Sequence, residues 1–263
     1  MRAVLLLMAL LVGAAAGCRD DTVSVAFRPN VGDTYRYEVH VRTETEVRLE
    51  GGEPEVSRDD ALLRAEHRVL TAGPGGIRVQ VVLAAAGEDA RTFVVRFDRA
   101  ARLESIERIE GIPESALGEL GVSEIFPAAA GAPPDRRLEP GDRWSIDDAV
   151  RLPGIEGTPR LEGEGRLLEV GISSGTEVGR IRTVARLPVR ATSETENGEL
   201  HIEGTQVTDH AATHDLADGS VRSSTSRTTG TFTILLAPPP GRPGEPVPGT
   251  MRVRVISRTT RIG

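Results

Sequence analysis

From Asp33 to Glu50 the chain alternates without a slip. Tyr35, Tyr37, Val39, Val41, Thr43, Thr45, Val47 and Leu49 hold the odd positions, and Arg36, Glu38, His40, Arg42, Glu44, Glu46, Arg48 and Glu50 the even ones. Period two places these sets on opposite faces of a strand. Such a strand is about 53 Å long at 3.3 Å per residue, where the usual strand has only five or six residues. One face is apolar or hydroxylated and the other charged, so the pattern predicts an antiparallel sheet with one face in water.

Shorter alternations follow at Ile77, Val79, Val81, Leu83 and at Phe93, Val95, Phe97. A turn at residues 98–100 leads to a strand around 103–109. Residues 113–126 then change period. Leu117, Leu120 and Ile125 recur near helical spacing, and Pro113 suits a first turn, so one helix is expected there. A connector rich in Pro and Gly spans 128–141. Strands return at Trp144 and Ile146, then over 161–172, 178–189 and 200–216. The Asp218-Gly219 dipeptide signals a hairpin into a Ser/Thr-rich strand over 220–236. A Pro-rich loop at 238–248 precedes a last strand over 251–262. The expectation is an all-β protein: an antiparallel half-barrel or open barrel of about eleven strands, joined mostly by short turns, with one covering helix.

One internal echo stands out. Gly32-Asp33-Thr34-Tyr35 opens the first long strand, and Gly141-Asp142-Arg143-Trp144 opens the second half. In each, Gly and Asp turn the chain and an aromatic enters the sheet. The chain reads as a single β-rich domain, and the echo is either a pseudo-repeat of two halves, 32–126 and 141–262, or two independent turns.

The N-terminus has a different character. Arg2 is followed by an apolar run from Ala3 to Val12, the layout of a secretory signal. The run is too short to span a bilayer, which takes roughly 20 residues. It ends Ala14-Ala15-Ala16-Gly17-Cys18. This stretch resembles the lipobox of bacterial lipoproteins, in which small residues and glycine precede the cysteine that receives diacylglycerol. The resemblance implies a signal peptide over 1–17, cleavage before Cys18, and a mature domain over 18–263 held to the membrane by its lipid. The alternative is ordinary cleavage after Ala16, leaving Cys18 a thiol. Cys18 is the only cysteine, so it has no disulfide partner within the chain. Arg19 follows it. In the sorting rule of these lipoproteins an aspartate there retains the protein at the inner membrane, so its absence points to the outer membrane or cell surface.

Charge narrows the partners. The chain has net charge −7 and no lysine; all 32 basic residues are arginine. Loss of Arg2 with the signal leaves the mature part at −8. A scattered, outnumbered set of arginines is not the basic face that nucleic acid needs, nor does it suit anionic lipid. No nucleic-acid partner is expected.

The lipobox, Gly-Asp-x-Tyr-x-Tyr opening a very long strand, the mid-chain helix, Pro-Gly-Asp-x-Trp, and long Thr-rich hairpins with Asp-Leu-x-Asp-Gly at one tip together resemble a family of bacterial lipoproteins. Its shape is similar to the LolA/LppX-type half-barrel carriers. That resemblance implies a curved sheet, covered by helices, that holds acyl chains between them. This chain departs from the carriers in having one evident helix where they use more. The shared motifs are turn motifs and assign no binding residue.

No catalytic chemistry is legible. His210 and His214 lie four apart, but on a strand pattern that puts them about 13 Å from each other, too far to share an ion. His40, His67 and His201 read as solvated strand positions. The pairs Asp59-Asp60 and Asp147-Asp148 read as surface-loop acids, and Asp215 and Asp218 as turn residues rather than a calcium loop. There is no Gly-x-Ser-x-Gly elbow, phosphate loop or His-Glu-x-x-His. Neither metal nor cofactor is expected, and the chain reads as a non-enzyme.

The stripe of Tyr35, Tyr37, Val39, Val41, Val47 and Leu49 has two readings. It is either core, or the wall of a cavity for a lipid or other amphipathic ligand. Thr43 and Thr45 in the stripe, and the Ser and Thr of 220–233, make the inner surface less apolar than a packed core requires. One Trp, two Tyr and five Phe are few aromatics to fill it. The leading expectation is an envelope lipoprotein whose concave sheet binds an amphipathic ligand. The alternative is a surface or periplasmic protein-interaction module with a filled core.

Overall fold

The computed structural model describes residues 22–85, 90–97, 103–110, 133–149, 157–195, 198–238 and 244–263. Every regular element among them is a strand: β1 (Thr34–Leu49), β2 (Glu55–Gly73), β3 (Gly76–Ala85), β4 (Arg91–Phe97), β5 (Leu103–Glu110), β6 (Arg143–Ala149), β7 (Arg160–Ser173), β8 (Thr176–Thr195), β9 (Gly198–Asp215), β10 (Val221–Ala237) and β11 (Val247–Arg261). All pairings are antiparallel and form one sheet in the order β5-β4-β3-β2-β1-β11-β10-β9-β8-β7-β6. Each strand pairs with its successor, and the last pairs with the first, leaving β5 and β6 as the two edges. This is the connectivity of an up-and-down barrel opened between β5 and β6. The all-β, antiparallel class expected from the alternation is what is found. The expected helix over 113–126, the turn at 98–100 and residues 128–132 of the connector lie outside the described residues.

The sheet is curled, and a short N-terminal strap shows it. Val25 packs on Leu167 of β7 and Gly179 of β8. Phe27, two residues on, meets Tyr35 of β1 at 5.7 Å and Phe97 of β4 at 6.3 Å, both edge-on. In a flat sheet β8 and β4 would be seven strand spacings apart, about 34 Å. Val25 and Phe27 are at most about 7 Å apart along the chain. Only a concave inner face lets both contacts form. The strap is fixed at either end. Val23 bridges Leu138, Arg137 donates to the Thr22 hydroxyl at 2.5 Å, and the Arg28 amide donates to the Asp218 carbonyl at 2.6 Å.

The two Gly-Asp motifs are built alike. Gly32 (φ +91°) and Gly141 (φ +101°) both adopt the left-handed conformation that favours glycine. The amide of Gly32 donates to the Val69 carbonyl, and that of Gly141 to the Leu167 carbonyl, at 2.9 and 2.7 Å. Val69 and Leu167 return the bond to Asp33 and Asp142 at 2.9 and 3.0 Å. The register shifts directly beyond both partners, between Val69 and Thr71 and between Leu167 and Glu169.

Residues 55–73, which the sequence reading left unassigned, form β2, which pairs with β1 along almost its whole length. Asp59-Asp60 therefore lie in a strand, as do Asp147-Asp148 on β6, and not in surface loops. The outer face carries their partners: Arg42 grips Asp60 through Nε and Nη2 at 3.0 and 2.8 Å, and Arg160 grips Asp147 at 2.8 and 2.6 Å. Both members of the Arg42–Asp60 pair are mostly in solvent. Such pairs contribute little, so Arg42→Ala should change the urea unfolding free energy by no more than about 0.5 kcal/mol. A loss several times larger would mean that the pair organises the β1–β2 register.

Candidate ligand-binding face

Directly paired residues of neighbouring strands share a face, so the register gives the inner surface row by row. One row runs across eight strands: Trp144 on β6, Gly165, Thr183, His210, Ser226, Ser257, Val41 on β1 and Ala61 on β2. Its flanks are apolar and its centre, on β8 to β11, is polar. Thr183, His210, Ser226 and Ser257 are nevertheless all buried, as are Ser224, Thr228 and Thr259 in adjoining rows. The apolar flanks belong to two separate clusters. One joins Tyr35, Tyr37, Val39 and Val41 to β2, β3 and β4; the other joins Trp144, Ile146, Leu167 and Ile181 around Val25. A seam of hydroxyls and an imidazole divides them.

The seam is short of partners. Thr208 and Thr228 hydroxyls bond each other at 3.0 Å. Both ring nitrogens of His210, the Ser226 hydroxyl and the Thr259 hydroxyl are buried without a hydrogen-bond partner. His210 is 1% exposed. A buried polar group left unpaired costs about 1–3 kcal/mol. Three such residues together would consume much of the 5–15 kcal/mol by which a domain is stable. Native interiors satisfy such groups with ordered water or a ligand. The seam is thus a place where something polar belongs.

Burial sets the electrostatics of the seam. It holds the His210 imidazole neutral by pushing its pKa down to about 4, with nearby His214 acting the same way and Asp209 opposing. His214, at the lower end of β9, is also held neutral by burial. Its Nδ1 lies 2.9 Å from the Gly219 carbonyl. A carbonyl only accepts, so Nδ1 carries the proton and Nε2 is a bare acceptor.

The base of the inner face is satisfied, unlike the seam. The Tyr35 hydroxyl donates to Asp218 Oδ2 at 2.8 Å, and burial beside Asp218 and Asp33 raises its pKa. Arg261 donates to the Ser220 hydroxyl at 2.8 Å and lies over the Tyr35 ring, 5.1 Å from its centre. Above the seam the inner face is open and apolar. Val47, Leu49, Val189, Ile202, Met251 and Val253 are half-buried. Phe232 lies flat across Gly230, at a spacing that leaves no room for a β-carbon there. Trp144 covers Gly165 in the same way.

The sequence-predicted stripe thus divides. Tyr35, Tyr37, Val39 and Val41 are buried in the cluster with β2 to β4, whereas Val47 and Leu49 sit half-open toward the upper end. Cys18 lies outside the described residues. His67 corrects its sequence reading: it is buried, tilted against the Tyr37 ring with 4.8 Å between centres. Its register partner Tyr35 faces inward, which carries His67 inward too. The sequence reading placed the Ser and Thr of 220–233 on the inner surface but did not bring Ser226 together with Thr183, His210 and Ser257, which come from other strands. Among the described residues no group of three His, Cys, Asp or Glu is placed to hold a metal ion.

No protein-family model matches the chain, and no curated protein is similar to it.

Proposed function

We propose that this is an exported, non-enzymatic envelope lipoprotein, anchored through diacylglycerol on Cys18, whose concave inner face binds a lipid or another amphipathic molecule. The observation that carries the binding reading is the inner face itself, where a half-open apolar wall stands above a buried polar row in which His210 and Ser226 lack partners. An amphipathic molecule matches both parts at once. The anchor rests on the sequence: a short apolar export segment, small residues, and a lone cysteine directly after them. Arg19 at the following position favours an outer-membrane or surface address.

The competing reading is an interaction module with a filled core. The packing of Tyr35, Tyr37, Val39 and Val41 favours it, because these residues are buried in one cluster with side chains of β2, β3 and β4. Organic extraction of the untagged mature protein, followed by mass spectrometry, separates the two. The binding reading expects the same lipid species in every preparation. A protein that yields none, and whose polar row holds only water, is the module. Metabolic labelling tests the anchor: palmitate should label the wild type and not Cys18→Ser.

A further inference from the structure

We propose that the polar row is a headgroup site for an uncharged, hydroxyl-bearing amphiphile, with His210 as the central hydrogen-bonding residue and Ser226 and Thr183 on either side. This rests on the reading that the inner face binds an amphiphile, and it names the chemistry of the end that enters first.

The assignment follows from what the row offers. A neutral imidazole presents one donor and one acceptor, and a serine hydroxyl presents both. His210 and Ser226 are direct cross-strand neighbours, and Thr183 lies opposite His210 on its other side. A group that satisfies them must donate and accept in the same few ångströms, as an alcohol does. A carboxylate or phosphate only accepts, so it leaves the row's donor–acceptor demand half met.

Charge points the same way. Taking an anion into a buried site requires a cation there. Arg227 and Asp209 adjoin the row in sequence, but alternation turns them to the outer face, where Arg182 pairs with Asp209. Arg261, the cation at the base, is already bonded to Ser220 and lies over Tyr35. No cationic side chain of the described residues in this row faces its centre. An ammonium headgroup fares no better, because Asp59 is the acid in the adjoining row and stands exposed on the far side of Thr43. The uncharged alcohol is what remains. Its chain would lie upward along Leu187, Val253, Phe232, Met251 and Val47, which the register places on the same face.

Three probes with the same acyl chain test this on the mature protein carrying Cys18→Ser, a change four residues before the strap. They are monooleoylglycerol, oleate and oleoyl-lysophosphatidylglycerol, each titrated by calorimetry below its aggregation concentration. Monooleoylglycerol should bind about tenfold more tightly than either anion. His210→Leu and Ser226→Ala should each weaken it by about tenfold, the worth of one hydrogen bond, while His210→Gln, which keeps a donor and an acceptor, should retain most of the affinity. Ser226→Ala removes a single oxygen and guards against a folding failure of the histidine variants. Anions binding as well as the alcohol would overturn the headgroup assignment and leave the amphiphile reading standing. So would monooleoylglycerol binding that both substitutions leave unchanged. No binding of any probe, with water filling the row in a high-resolution structure, would overturn both.

Discussion

Gly219→Val should destabilise the domain by about 4 kcal/mol, seen as a large fall in the urea midpoint of the mature protein. Gly219 turns β9 into β10 with φ at +72°, a conformation that costs a β-branched residue dearly. Space is as restrictive as conformation. A β-carbon there would stand 2.0 Å from the Ala26 carbonyl oxygen and 2.8 Å from the Phe27 Cα. These are backbone atoms of the strap, and they cannot swing aside as a flexible side chain would. The strap spans both apolar clusters through Val25 and Phe27, so displacing it loosens both. The Gly219 carbonyl also accepts from buried His214. A midpoint within a few tenths molar of wild type would mean that the strap contributes little to closing the base.

Acid should weaken the fold well above the range where most carboxylates protonate. His210 is neutral in the folded protein, with its pKa near 4 instead of 6.5. Because the unfolded chain binds the proton more readily, the contribution is complete above pH 6.5 and is lost as pH falls from there toward 4. A depression of that size corresponds to roughly 3 kcal/mol. His214 shifts in the same direction and adds to the loss. The groups beside His210 on the inner face, Thr183 and Ser226, carry no charge to offset it. Asp209 resists the shift from the outer face and is itself engaged by Arg182. Urea midpoints measured from pH 7 to pH 4.5 should fall steadily for the wild type and much less for His210→Gln. A flat wild-type profile over that interval would show that His210 is hydrated, and the buried row would lose its main support.

What the sequence made legible was whatever depended on local alternation. β1 declares itself because every residue from Tyr35 to Leu49 obeys period two and the opposing face is charged at every position but His40. β2 does not. In its first half, Ser57 to Asp60 face a stretch of β1 that is itself half-open or exposed, so neither face needs to be apolar there and no periodic signal arises. The Gly-Asp turns were visible because their geometry is set by two adjacent residues. The polar row was not, because its members come from four strands up to 74 positions apart, and only pairing brings them level. For the same reason His210 was weighed only with His214, four residues along its own strand, and not with Ser226 across the sheet. A histidine on a strand is ordinary, and nothing local says that its partners across the sheet will be Thr and Ser in a buried interior. The Ser/Thr excess of β10 carried half of the message. Its even positions, Ser224, Ser226 and Thr228, face inward and are buried, while Thr229, Thr231 and Thr233 line the outer face.

The polar seam requires Ser226 to be enclosed while its chain neighbour Arg227 is in solvent. Thiol labelling tests this directly, since replacing Cys18 by serine leaves no other cysteine. In that background the Ser226→Cys and Arg227→Cys variants would be treated with a water-soluble maleimide under native conditions. The buried seam predicts that the thiol at 227 reacts as a free one does, and that the thiol at 226 reacts at least about a hundredfold more slowly, limited by opening of the sheet. Equal rates at the two positions would contradict it.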